Sequence, residues 1–365
     1  MNVMIQSMNP KLLFVYPNQF GYHTDSYKYC EHLKDAFDIS YMCFDQGFER
    51  MTLSHVKVIY LPYNTGKIKR LIYFYSSLIR LTLELKFEVL FTVQFKLCFI
   101  IGLCARSKVK VLDYRSGDLS SSILKRSLKN ILMRFDALFF RHITVISKGV
   151  RDLLFLNKNR TLILPLGADV ISSKVRSFER LDLLYLGTLS LRNIDQTIKG
   201  VALFLDKNKE MSHLFSYTII GFGNKMEEEE INSIIERMNL SGTVRFLGRK
   251  IYTDLPYYFD ECNIGVTYVP LTSYYEYQPV TKLFEYMLSG MPVIATNTYE
   301  NKLIVNNING VLINDTAEDF CNGLMTIYNQ RKSFNSSEIR KSVESYTWGN
   351  IVNANLKPYL QTLMD

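Results

Sequence analysis

The chain has 365 residues, is 47% hydrophobic and 21% charged, and carries a formal net charge of +8. That length and apolar content supply cores for two domains of ordinary size. The six cysteines (Cys30, Cys43, Cys98, Cys104, Cys262, Cys321) show no C-x-x-C spacing, which argues against structural zinc and a disulfide framework and for a reducing cytosol. The most apolar run, "LCFIIGLC" (97–104), falls far short of the ~20 residues of a spanning helix and reads as a buried helix. No secretory signal is expected ahead of the first strand.

In chain order, "KLLFVYP", "VKVIYLP", "EVLFTV", "VKVLDY" and "HITVIS" read as strands, separated by longer helical patterns. A second series follows with "LDLLYLG", "YTIIGFG", "TVRFLG", "NIGVTYV", "PVIAT" and "GVLIN". Strands alternating with helices predict an α/β protein with parallel sheets, and the series runs twice. No short repeat recurs in either half, which argues against a solenoid. "LILPLGADV" (162–170) closes the first series, and "SSKVRSFERLD" (172–182) reads as a polar bridge. The predicted domains are 1–175 and 176–345, with a C-terminal helix over 346–365 that returns to the first domain.

The charge is uneven. Residues 1–170 hold 24 basic and 13 acidic side chains, a balance of +11, whereas residues 171–365 hold 19 and 22, a balance of −3. The first half therefore suits an anionic surface. No nucleic-acid motif accompanies the charge. "KIKRLIYFYSSLIRL" (67–81) and "KRSLKNILMRF" (125–135) mix cations with apolar residues at helical spacing, as interfacial helices on an acidic membrane leaflet do. Basic helices packed on a sheet share that pattern.

"QPVTKLFEYMLSGMPVIATN" (278–297) carries the strongest chemical signal. Pro279 disfavours helix before it, so the helix starts near Thr281. Leu283, Phe284, Met287 and Leu288 form its apolar stripe, and Lys282, Glu285 and Ser289 lie on another face. Gly290 ends it and Pro292 opens a strand. The helix N-terminus suits a phosphate, and a carboxylate one turn further in suits a vicinal diol. A nucleoside diphosphate offers both.

"PVTKLFEYMLSGMPVIAT" resembles the signature of the large retaining glycosyltransferase family with the GT-B fold (family 4, glycosyl transferases group 1). "LLYLGTLSLRNIDQTIKGV", "YTIIGFGNKMEEEEINSIIERMNLSGTVRFLGRK", "NGVLIND" and "LPLGADV" resemble further motifs of that family in the same order. The resemblance implies two Rossmann-like domains facing each other across a cleft, a UDP- or GDP-sugar donor in the second domain and a glycan acceptor in the first. It implies Glu285 on the donor ribose. The first signature glutamate would stand at position 277, where this chain has Tyr277, with Glu276 beside it. Arg192 and Lys282 are the candidate cations for the diphosphate, because stabilising a leaving group's charge is commonly the largest catalytic term. Gly187, Thr188, Gly221, Gly223 and Thr281 complete the expected donor site.

In the first half, Arg115 and Asp113 of "VLDYRSGD" and His23 of "PNQFGYHTD" are the candidate reaction-centre residues. An internal ion pair is the alternative for the first two, and a structural role for the histidine. His142 and Ser147 have weaker claims. The resemblance implies front-face transfer with orientation and charge supplied by the protein, and neither a metal nor another cofactor is expected. The implied acceptor is polyisoprenyl-diphosphate-linked, placing the protein peripherally on the inner membrane face, in capsule or O-antigen synthesis. A soluble small-molecule or protein acceptor, or a non-catalytic scaffold, are the alternatives.

Overall fold

Two parallel sheets organise the chain. The structure is a computed structural model that describes residues 9–63 and 66–365. The expectation about a secretory signal concerns the start of the chain, where residues 1–8 lie outside the described residues. Contacts divide the chain into two compact units, Met1–Leu166 with Trp348–Asp365, and Gly167–Thr347.

The first unit contains β1 (Lys11–Val15), β2 (Asp38–Asp45), β3 (Val56–Pro62), β4 (Val89–Val93), β5 (Val109–Tyr114), β6 (His142–Val145) and β7 (Thr161–Ile163). They pair in the order β3-β2-β1-β4-β5-β6-β7. The second contains β8 (Leu181–Thr188), β9 (Phe215–Phe222), β10 (Val244–Phe246), β11 (Ile264–Thr267), β12 (Val293–Thr296) and β13 (Gly310–Ile313), in the order β10-β9-β8-β11-β12-β13. Among the described residues, every strand pairing in the two sheets is parallel. Strand order reverses at β1/β4 and again at β8/β11. In such doubly wound sheets, ligands bind outside the carboxyl ends of the strands near that reversal.

β2 and β7 were not expected. β2 reads "DISYMCFD", with Ser, Met and Cys where a predicted strand would carry β-branched residues, yet Ile39–Phe44 are all buried. Its side chains are covered by residues outside the strand, as where Tyr41 packs edge-on against Phe20 and meets the Ser26 hydroxyl (2.9 Å), which local composition does not report. The run at 97–104 also differs from expectation. The helix there spans Phe99–Cys104 and buries only Ile101 and Gly102, leaving Leu97 and Leu103 in solvent. Among the described residues, no helix is long and apolar enough to cross a membrane.

The bridge over 172–182 is packed, not merely polar. Arg176 is buried and donates to the carbonyls of Ser289 (3.1 Å), Phe259 and Cys262. These carbonyls end the helices Thr281–Leu288 and Leu255–Glu261. A cation there meets the negative dipole ends of both. Burial, with help from Arg340, lowers its pKa to about 10, so it remains charged near neutrality. The C-terminal helical run, Trp348–Ile351 onward, belongs to the first unit, where the Trp348 ring lies 6.0 Å edge-on to Tyr29.

Candidate functional site

The helix Thr281–Leu288 begins where the sequence places it, and Gly290 follows with φ +76°, a conformation that favours glycine. Val280 stands at its N-cap and supplies no side-chain acceptor, so no side chain caps the first turn. Every residue from Leu283 to Leu288 is buried, including Glu285 at 5% exposure. Glu285 is ion-paired with Lys282 one turn earlier. Burial raises its pKa, against the pull of Lys282. A charged carboxylate held in this way is costly unless it has a partner or a task.

Gly187 and Gly221 are register partners on β8 and β9. A Cβ on Gly221 would collide with the Gly187 carbonyl oxygen, so only glycine fits. The loop after β8 is held firmly. Tyr185 donates its hydroxyl to the Thr188 carbonyl (2.7 Å), and the Ser190 hydroxyl donates to Glu227 (2.6 Å). Glu227 also forms a capping box with Asn224 just beyond Gly223. Arg192, between two positive-φ residues, lays its guanidinium over the Tyr275 ring at 4.4 Å. This contact joins the β8 loop to the segment carrying Glu276 and Tyr277. The Glu276 carboxylate accepts the Tyr299 N–H (3.1 Å), and the Tyr277 ring lies 5.4 Å from that of Tyr299. Glu276 thus already serves as a backbone acceptor for the next helix.

The remaining candidates belong to the first unit. Asp113 is fully buried and accepts the Thr144 hydroxyl (2.7 Å), with Arg115 at 3.7 Å. A substrate cannot touch it, so it acts as a positioning group at most. Burial pushes its pKa up to about 6, against the attraction of Arg115 and the Thr144 hydrogen bond. Arg115 pairs with Asp25 and donates to the Leu164 carbonyl (2.8 Å). The internal ion pair is therefore what forms. His23 is the N-cap of the helix Thr24–His32, its Nδ1 accepting the Ser26 N–H (3.3 Å). Burial lowers its pKa. Ser147 caps the helix Lys148–Leu153, and His142 starts β6, at the strand's amino end.

Asp25 and Gln19 were not singled out by the sequence. Asp25 meets Arg115 across 90 positions of chain, a separation that no local pattern reports. Gln19 is fully buried. Its carbonyl oxygen accepts from the N–H groups of Gln46 (2.9 Å) and Phe48 (3.1 Å), and its amide donates to the Phe48 carbonyl (2.8 Å). It ties the loop after β1 to the loop after β2. Among the described residues, no group of three His, Cys, Asp or Glu is placed to hold a metal ion.

Residues 180–330 match the family model described as glycosyl transferases group 1. No curated protein sequence matches the chain significantly. Solved structures share its fold over nearly the whole length. Sucrose-phosphate synthase from Thermosynechococcus elongatus superposes with a TM-score of 0.75 at 15% identity, over 97% of this chain and 99% of that one. HepE of Anabaena, in complex with UDP and glucose, gives 0.73 at 15% identity over 97% and 100%. The lipopolysaccharide outer core galactosyltransferase WaaB gives 0.69 at 12% identity over 96% and 99%. The fold is GT-B. Within the C-terminal unit, residues 180–330 are similar to glycosyl transferases group 1.

Proposed function

We propose that the protein is a retaining glycosyltransferase that moves a sugar from a UDP- or GDP-sugar to a hydroxyl of a polyisoprenyl-diphosphate-linked glycan. The reading places it peripherally on the inner face of the membrane, in surface polysaccharide synthesis. The observation that carries the donor side is Glu285, buried beside Lys282 one turn inside an uncapped helix N-terminus. The free N–H groups of that turn suit a phosphate and the carboxylate suits the ribose hydroxyls. The UDP-glucose complex of HepE, a protein of like fold, favours a UDP-sugar.

In this reading Arg192, Lys282 and the Thr281 turn stabilise the departing diphosphate. The acceptor hydroxyl attacks the sugar carbon from the face that the diphosphate leaves. The carbon–oxygen bond to phosphate breaks as the new glycosidic bond forms, and the departing phosphate oxygen takes the proton. Glycines 187, 221 and 223, with Thr188, keep the strand-end loops open to the nucleotide, while Tyr277 and Glu276 border the sugar. Asp113, Arg115 and His23 hold the acceptor-side loops in place. The membrane side is supported by the +11 balance of the first 170 residues and by the solvent-facing apolar residues of its basic helices.

Calorimetry with UDP and GDP tests the donor reading. Wild type should bind one of them, and Glu285→Ala should bind about 100-fold more weakly, as expected for two lost charge-assisted hydrogen bonds. A wild type that binds neither nucleotide would make the protein a scaffold. Transfer to soluble sugars alone, without detergent, would move the acceptor assignment.

A further inference from the structure

An ordinary surface helix turns its apolar stripe toward the core. The helix Ile123–Ala137 does the reverse. Leu124, Leu128, Ile131, Leu132 and Phe135 recur at helical spacing and are 44–84% exposed, while only Asp136 and Ala137 of the helix are buried. The same helix carries Lys125, Arg126, Lys129 and Arg134 against a single acid, Asp136. An exposed apolar stripe flanked by cations matches the surface of an acidic bilayer.

Beside the helix Phe99–Cys104 lies a pocket of about 420 Å³, lined on its apolar side by Leu97, Phe99, Leu132, Met133 and Phe135. That volume falls within the span of about 300–1,000 Å³ typical of small-molecule sites. Both carboxylates in its lining are occupied. Asp136 accepts the Phe99 N–H (3.0 Å), and Asp118 is paired with Lys129 (2.9 Å). Lys96 is exposed and makes no ion pair among the described residues. The pocket therefore combines a hydrocarbon interior with an uncommitted cation. Its place in the fold matters as much. Gln94 follows β4 and donates its backbone N–H to the Asp113 carbonyl on β5 (2.8 Å). The pocket thus sits at the carboxyl ends of β4 and β5, the edge where open α/β sheets receive ligands.

We infer that this pocket seats the phosphate-proximal hydrocarbon of the polyisoprenyl diphosphate, with Lys96 on the phosphate nearest the lipid, while the outward stripe of Ile123–Ala137 rests in the bilayer from which the lipid enters. The inference rests on the lipid-linked acceptor reading and names the part of the surface that would recognise that acceptor's lipid. A bulk phospholipid is the rival occupant. Location favours the acceptor, since a site for bilayer lipid has no reason to open at strand ends.

Farnesyl phosphate, a short soluble polyisoprenyl phosphate, is the probe, titrated into the full chain. Farnesol and inorganic phosphate should each bind at least about tenfold more weakly, because each supplies only half of the match. Met133→Trp, which fills the pocket, should cost at least about tenfold. Lys96→Ala, at an exposed position that cannot unfold the protein, should cost about tenfold for farnesyl phosphate and nothing for farnesol. Failure of farnesyl phosphate to bind wild type, or equal binding to both variants, overturns the inference. Competition by dioleoyl phosphatidylglycerol at matching affinity also overturns it, since the site would then serve bilayer lipid. If farnesyl phosphate fails while polyisoprenyl-linked glycans are still glycosylated, the pocket assignment falls alone. If such glycans are not used at all, the function reading falls with it.

Discussion

Two helices of this protein break the usual rule of burial in opposite directions. Thr281–Leu288 is buried from Leu283 onward and takes a carboxylate, Glu285, inside with it. Ile123–Ala137 keeps its leucines and phenylalanine in solvent. A buried charge and an exposed apolar stripe are both unfavourable for the isolated fold. Natural sequences keep such conflicts mainly where a ligand or a surface resolves them. The contrast fits the proposed function, which gives the C-terminal unit a compact charged ligand and the N-terminal unit an apolar surface.

The sharpest way to break that contrast is to make the same substitution in both helices. Leu283→Ala, at 1% exposure, should destabilise the protein by about 3 kcal/mol through lost burial and a residual cavity. Leu124→Ala, at 84% exposure, should stay within about 0.5 kcal/mol. Urea unfolding decides the matter. Similar losses at the two positions would mean that the N-terminal helix packs inward after all.

A slightly smaller effect concerns buried charge in the first unit. Asp113 has its pKa raised by burial from 3.8 to about 6. The native state therefore holds the proton more tightly than the unfolded chain, and stability falls as pH rises through that window. Two units correspond to at most about 3 kcal/mol, fully lost above the native pKa. Relative to Asp113→Asn, wild type should lose ground by up to that amount between pH 4 and pH 7. A gap independent of pH would show that Asp113 does not titrate there.

The smallest effect on stability carries the membrane reading. Leu124→Ser with Leu128→Ser should leave the unfolding midpoint unchanged yet weaken binding to phosphatidylglycerol vesicles by about tenfold or more. Wild-type binding should itself weaken with added salt. Vesicle binding that ignores both the substitutions and the lipid charge would remove the membrane from the account.

The helix bearing Glu285 was legible because its signals are local: Pro279 before it, Gly290 after it, apolar residues at helical spacing between. The paired glycines, Gly187 and Gly221, were legible as strand-end residues but not as neighbours. β2 was missed, since it lacks a β-branched pattern of its own and its side chains are covered by distant residues such as Phe20 and Ser26. Arg115 and Asp113 were found as polar residues at a strand's carboxyl end. That they form an internal network with Asp25 was not readable, because the partner lies far away in sequence. Glu276 was adjacent to the expected acid position, yet its carboxylate turned out to accept a backbone N–H from the next helix.

The sequence alone determined the alternation of strands and helices, the repetition of that series, and the acid placed one turn into a helix, because periodicity and turn chemistry act over a few residues. Tertiary structure alone decided which charges are buried, which pair with each other, and which apolar stripe faces outward. Those outcomes depend on solvent exclusion by segments distant in the chain, and no short window of sequence records it.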